Sequence, residues 1–239
     1  MSQYDSSLQT PESKGSAWGA IFRIITEPEA TFRSFGEHLP ILPGYLVQMG
    51  LSLVMALLML PATLAMVEQQ LATMPQASPI NPGVMKMIQA GSVLFSALIT
   101  PWLAGVFTAL LALFIGQFQG GARNFTQYMG LVGYSRLTLA LGSVVQGLII
   151  FLTGKIQMSN AISLAAFAPE GASPYLTGFL GAFNPFSFWY WAVMAIGFGV
   201  LHKGTWKKGI SLVVIMFILS VLIATVGNGL THTAVPGVQ

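Results

Sequence analysis

The chain has 239 residues, of which 54% are hydrophobic and only 7% charged, with a mean hydropathy of +0.72. A soluble domain is about a quarter charged, so this chain lacks the polar surface to coat itself in water, and the number of membrane spans replaces length as the guide to architecture. A net charge of +3 without a basic stripe or RNA-binding motif gives no reason to expect nucleic acid, and zero cysteines exclude disulfides, thiolate metal sites and lipidation on cysteine.

Eight of the 17 charged residues fall in the first 37 positions, which sets a polar N-terminal segment (1–43) apart from a membrane domain (44–226) and a short tail (227–239). The first 15 residues lack the pattern of a secretory signal, so the first long apolar segment is expected to act as an uncleaved signal-anchor. Trp18, Ile21, Phe22 and Ile25 follow i, i+3, i+4, i+7 spacing, one face of a helix. Thr26-Glu27-Pro28-Glu29 reads as a capping box with Thr26 as cap. It opens a second helix with Phe32, Phe35 and Leu39 on one side and Arg33 and Glu37 on the other. Two such helices either lie in the membrane interface, apolar face down, or pack against the inner ends of the bundle.

Gly44 to Met66 carries no charge and is long enough to cross a hydrocarbon core of about 30 Å. An outer loop with Glu68 follows. Asn81-Pro82 marks a cap with proline in the first turn, and Met87 to Gly116 forms a second span, longer than needed and expected to kink at Pro101. After a short inner loop the third span runs from Tyr128 to Thr153 and contains Arg136. Residues 154–183 form an outer segment whose apolar part (175–183) suits a short interfacial helix. Asn184-Pro185 repeats the cap signal for a fourth span to Leu201, His202 to Lys208 is an inner loop, and Gly209 to Val226 is the fifth span. The fold class is therefore an all-α integral membrane protein with five transmembrane helices preceded by short amphipathic interfacial helices.

With the N-terminus inside, seven of ten basic residues (Lys14, Arg23, Arg33, Arg123, Lys203, Lys207, Lys208) are cytoplasmic. Only Lys86 and Lys155 are outside. The positive-inside rule predicts this orientation, with the C-terminus outside.

Hydrolytic or transfer chemistry needs paired carboxylates, an activated nucleophile or a metal. Asp5 is the only aspartate, Glu68 and Glu170 are the only acids beyond residue 38, and His38, His202 and His232 fall in separate segments. This inventory offers no three-ligand metal site and no phosphate-binding or nucleophile-elbow motif. The chain is expected to be non-enzymatic and without cofactors. Three features remain as functional candidates. Arg136 lies inside a span, where an ionisable side chain is costly; its long stem is expected to snorkel to the inner headgroups, in which case lysine should replace it. Small-residue spacing (Gly116/Gly120, Ala104/Thr108/Ala112, Ser220/Ala224) permits close helix packing. Lys203, Lys207 and Lys208 around Trp206 either bind anionic lipid headgroups or simply fix topology.

Three motifs, "IITEPEATFRSF" before the first span, "GGARNFTQYMGLVGYS" over 120–135 and "NPFSFWYW" over 184–191, in that order and with five spans, resemble the bacterial branch of the Yip family of multi-span membrane proteins. The second motif supplies Gly120, Gly121, Arg123 and Tyr134. Members often carry a proline shortly after this tyrosine; here Ser-Arg-Leu-Thr follows. The resemblance implies a five-helix membrane domain without catalysis, acting as a membrane-organising or protein-recruiting adaptor. Its partners would be the lipid bilayer, anionic lipids and a membrane or cytoplasmic protein. The alternative is a small transporter or lipid-handling protein with a polar path around Arg136, Gln146 and Gln48. Convergence of these groups on one cavity would favour the alternative, and a solid bundle the adaptor.

Overall fold

The computed structural model describes residues 16–36, 38–73, 81–118, 124–156, 161–203 and 206–234. All regular structure among them is helical: α1 (Gly19–Thr26), α2 (Pro28–Phe35), α3 (Leu42–Thr73), α4 (Pro82–Gln117), α5 (Phe125–Ser135), α6 (Leu137–Thr153), α7 (Pro174–Gly181), α8 (Pro185–Leu201) and α9 (Trp206–Ala234), with a 3-10 turn at Leu164–Phe167. Large apolar side chains such as Leu57, Phe95, Phe107, Phe151, Ile218 and Leu222 project outward from the long helices. In water that surface would aggregate. In lipid it is the ordinary outer face of a bundle.

Four stretches are long and apolar enough to cross a membrane: Leu42–Ala72, Pro82–Gln117, Phe125–Thr153 and Gly209–Leu230. The helices α7 and α8 qualify only together, as a pair bent by 52°, and make the fifth span if they cross as one. Helix α3, with 32 residues, is about 48 Å long, and α4, with 36, about 54 Å. Glu68 therefore lies within α3 rather than in a loop, where it meets Lys86 of α4 at 3.1 Å. Pro101 sits inside the unbroken α4.

Helices in lipid gain little from burying apolar surface against each other, because lipid tails are equally apolar; close packing and polar bonds hold them. Gly44 of α3 lies so near the Gly133 backbone of α5 that an added Cβ would stand 2.9 Å from its carbonyl carbon. Tyr45 stacks on Trp102 of α4, ring centroids 4.5 Å apart, and covers Gly105 and Gly133. At the other contact, Gly209 of α9 abuts the Ala195 carbonyl of α8. Tyr128, Tyr134, Leu131, Phe198, Met194 and Leu212 fill the buried centre.

The two N-terminal helices pack onto this centre, α2 against α8 and α1 against α5 and α2. Ile21 and Phe32 are buried, and Ala20 and Ile24 complete the inward face of α1. Ile21 and Phe32 thus meet protein rather than the expected interface, because the buried stripe of α1 is rotated towards Ala20 and Ile24. Trp18 (54% exposed) and Phe22 (77%) point away from the bundle, and Ile25 and Phe35 are half-buried. The capping box does not form. Thr26 closes α1, Glu27 occupies the cap position of α2 without a side-chain bond, and Glu29 is taken by Arg33 one turn on at 2.8 Å. The two Asn-Pro signals hold. Asn81 accepts from Gly83 N–H, and Asn184 accepts from Ser187 N–H at 2.8 Å.

Candidate functional site

The third span is interrupted at Arg136, where α5 gives way to α6. The main chain bridges the break, with Arg136 N–H donating to Val132 O and Ala140 N–H to Arg136 O. Two carbonyls of this turn have side-chain donors: Gln48 Nε2 donates to Gly133 O at 2.6 Å, and Thr138 Oγ1 to Ser135 O at 2.9 Å. Side chains inserted into the ladder loosen it locally. The Gly44–Gly133 approach is what brings Gln48, one turn along α3, within reach of that carbonyl.

Gln48 is 2% exposed and fixed at both ends of its amide. Its nitrogen bonds the Gly133 and Gly44 carbonyls, and its oxygen accepts from Arg136 Nε at 3.3 Å. The half-buried Arg136 side chain is thus tied at Nε to a residue of α3, about 16 Å along the third span from Phe125. The Tyr190 hydroxyl of α8 is buried beside Arg136 and Thr108 and makes no hydrogen bond of good geometry. Among the described residues no carboxylate pairs with Arg136. Glu29 is engaged with Arg33 and Glu68 with Lys86.

Arg136 and Gln48 form one end of a cleft of about 430 Å³ between α3, α4 and α6. It extends along α3 from Gln48 to Thr63, about 22 Å of helix. Met55, Met59, Ala56 and Ala97 give it apolar walls, while Ser96, Thr100 and Ser143 add hydroxyls. The volume is in the range of ligand pockets, about 300–1,000 Å³. One end holds a cation; the remainder is apolar with scattered hydroxyls. Such a slot suits a molecule with an anionic head and an apolar body.

The sequence model of the Yip1 domain matches residues 22–227. The chain belongs to the Yip1 family. The match takes in α1 from Phe22 onward, α2 and all the long helices, so the Arg136 cleft lies within the Yip1 domain. The chain is also similar to the membrane protein YknW of Bacillus subtilis (strain 168), 29% identical over 105 residues, which cover 42% of this chain and 45% of that protein. The matched part thus spans less than half the length of that relative. No solved structure matches the chain.

The Yip1 domain separates the residues singled out in the sequence. Tyr134 is fully buried; its hydroxyl donates to Ala17 O at 3.0 Å and its ring lies 5.0 Å from Phe35, so it ties the N-terminal helices to α5. Lys203 is exposed at the opposite end from the cleft's hydroxyl-lined part, beside Arg33, Asn124 and Gln127 in a basin of about 460 Å³. It is the one non-glycine residue with positive φ (50°) among the described residues. Lys207 is exposed. Gly120, Gly121 and Arg123 lie outside the described residues, as do the side chains of Trp206 and Lys208. Of the expected polar path, Gln48 meets Arg136 directly, whereas Gln146 lines an adjoining chamber of about 180 Å³ along α6. Tyr190 went unrecognised in the sequence: it stands in the aromatic run of "NPFSFWYW", where nothing local distinguishes it from its aromatic neighbours. Within the Yip1 domain no group of three or more His, Cys, Asp or Glu able to hold a metal occurs among the described residues.

Proposed function

We propose that this Yip1 domain is a non-enzymatic lipid-handling protein whose cleft receives an anionic amphiphile, with its phosphate or carboxylate head at Arg136 and its apolar part between α3, α4 and α6. The observation that carries this reading is an arginine inside a membrane bundle that bonds a neutral amide and no carboxylate among the described residues. A charge at membrane depth is costly, and an anion in the cleft would offset that cost while offering an acceptor to the Tyr190 hydroxyl. The planar guanidinium suits two-point contact with phosphate or carboxylate oxygens. The experiment is thermal unfolding of the purified protein in nanodiscs. Phosphatidylglycerol should raise the midpoint relative to phosphatidylcholine, and Arg136→Gln should abolish the rise. Inorganic phosphate added to phosphatidylcholine discs tests a free anion. Stabilisation by phosphate alone would place the specificity in the head, and no lipid-dependent rise in the native protein would overturn the reading.

The adaptor reading has its own support in Trp18 and Phe22, which stay exposed at α1 although α1 packs against the bundle, and in the exposed Lys203 and Lys207. Under it, this face meets the cytoplasmic leaflet or a cytoplasmic protein. A single cysteine at Phe22 carrying an environment-sensitive dye distinguishes the two. An apolar spectrum in vesicles indicates lipid, and an aqueous one leaves the face to a protein partner. The orientation used here, with the N-terminus and residues 203–208 cytoplasmic in a bacterial inner membrane, rests on the distribution of basic residues.

A further inference from the structure

Two cavities meet along α6. The Arg136 cleft and the chamber of about 180 Å³ beside it have Leu139 and Ser143 in common. The chamber is also lined by Gln146, Asn184 and, from the 161–183 segment, Ile162, Ser163 and Gly181. Arg136, Leu139 and Ser143 stand at i, i+3 and i+7, and Gln146 follows three residues later, so the two spaces lie side by side on one face of α6 over about 15 Å. At the shared wall the Ser143 hydroxyl is folded back onto Ala140 O at 2.7 Å, Leu139 lines both spaces, and the Phe186 ring covers Gly142 on the chamber side. The other direction is closed. Between Arg136 and the N-terminal helices lie Tyr45, Met129, Leu131 and Tyr134, all buried, together with the Gly44–Gly133 backbone contact.

We infer that Leu139 and Ser143 form a gate through which the Arg136 cleft communicates with the 161–183 end of the bundle, and that the anionic head enters and leaves by that end. This rests on the amphiphile reading for the nature of the cargo, but the route is a property of the protein and is tested without a ligand. Among Leu139, Ile162 and Phe186 the chamber presents the polar side chains of Ser143, Gln146, Ser163 and Asn184, which offer hydrogen bonds to a polar head as it passes. A rotamer change of one leucine is enough to join the spaces, a motion fast on the timescale of transport.

The chain has no cysteine, so a single introduced thiol reports its own accessibility. Ser143→Cys, reconstituted in sealed vesicles, is exposed to a membrane-impermeant methanethiosulfonate from either face. Glu170→Cys marks the face carrying the 161–183 segment and Lys207→Cys marks the opposite one. The expected result is modification of Ser143→Cys from the face that modifies Glu170→Cys. The rate should rise several-fold when Leu139→Ala is added and fall when Leu139→Trp is added. If the tryptophan variant does not fold, the alanine variant alone decides. Reaction only from the Lys207→Cys face, no reaction from either, or rates indifferent to Leu139 would overturn the gate. Loss of the lipid-dependent midpoint shift with normal labelling would instead overturn the cargo and leave the route standing.

Discussion

An arginine in a membrane bundle is defined by what its five donors find. At Arg136 one finds Gln48, itself tethered to two backbone carbonyls, and the side chain lines the cleft. Lysine at this position would keep the charge but lose the bond from Nε and the planar fork. Arg136→Lys is therefore expected to insert and fold, yet to lose the stabilisation by phosphatidylglycerol measured as a midpoint shift in nanodiscs. Full retention of that shift would mean that charge alone suffices. Steric fit is equally sharp at Gly44. A methyl group there must displace the Gly133 backbone, and overpacking of this kind costs about 1–3 kcal/mol. Gly44→Ala should lower the unfolding midpoint and also weaken lipid-dependent stabilisation, since the displaced carbonyl is the one that orients Gln48. Gly50→Ala, with nothing within 4 Å of its added Cβ, serves as the control. The presence of a costly charge at position 136 was legible in the sequence. Its partner was not, because Gln48 is 88 residues away and only the fold brings them together.

At the scale of helices, the sequence was most informative where a local rule had no competitor. Asn81-Pro82 and Asn184-Pro185 each combine a side-chain acceptor with a ring that needs no donor, and both start helices. Thr26 met a competitor: α1 keeps it as its last residue, and the acid that would complete the box binds Arg33 instead. The interruption at Arg136 was invisible for a different reason, since it accompanies a bond from another helix to the Gly133 carbonyl. The brevity of α8, 17 residues, is explained by α7, which precedes it across the 52° bend and packs on α9 through Gly178. Asn184 holds the start of α8 through both its amide atoms, accepting from Ser187 N–H and donating to Ser187 Oγ at 2.7 Å. Asn184→Ala should cost about 1 kcal/mol, read as a lowered midpoint in detergent, with Asn184→Asp recovering part of the loss. An unchanged midpoint would show that packing of α7 on α9 alone fixes the bend.

For the molecule as a whole, the parity of spans depends on whether α7 and α8 cross together. If they do, the chain crosses five times, and reporter fusions at residues 1 and 239 should lie on opposite sides, with the 203–208 loop on the side of residue 1. Termini on the same side would mean that the bent pair returns to the face it left. The long helices add a mechanical property. The cleft lies between α3 and α4, about 48 and 54 Å long and joined by Glu68 and Lys86, and the shorter α6. In a thin bilayer the long pair leans further, and in a thick one it stands upright; mismatch of this kind costs fractions of a kcal/mol per Å. Helix α6 belongs to the 29-residue span Phe125–Thr153, about 44 Å long and interrupted at Arg136, so it has less need to lean than the two longer helices. The width of the slot is then set partly by acyl-chain length in the host membrane. The same protein in discs of 14-carbon and 22-carbon lipids should hold its amphiphile with different affinity, although every side chain in the slot is unchanged.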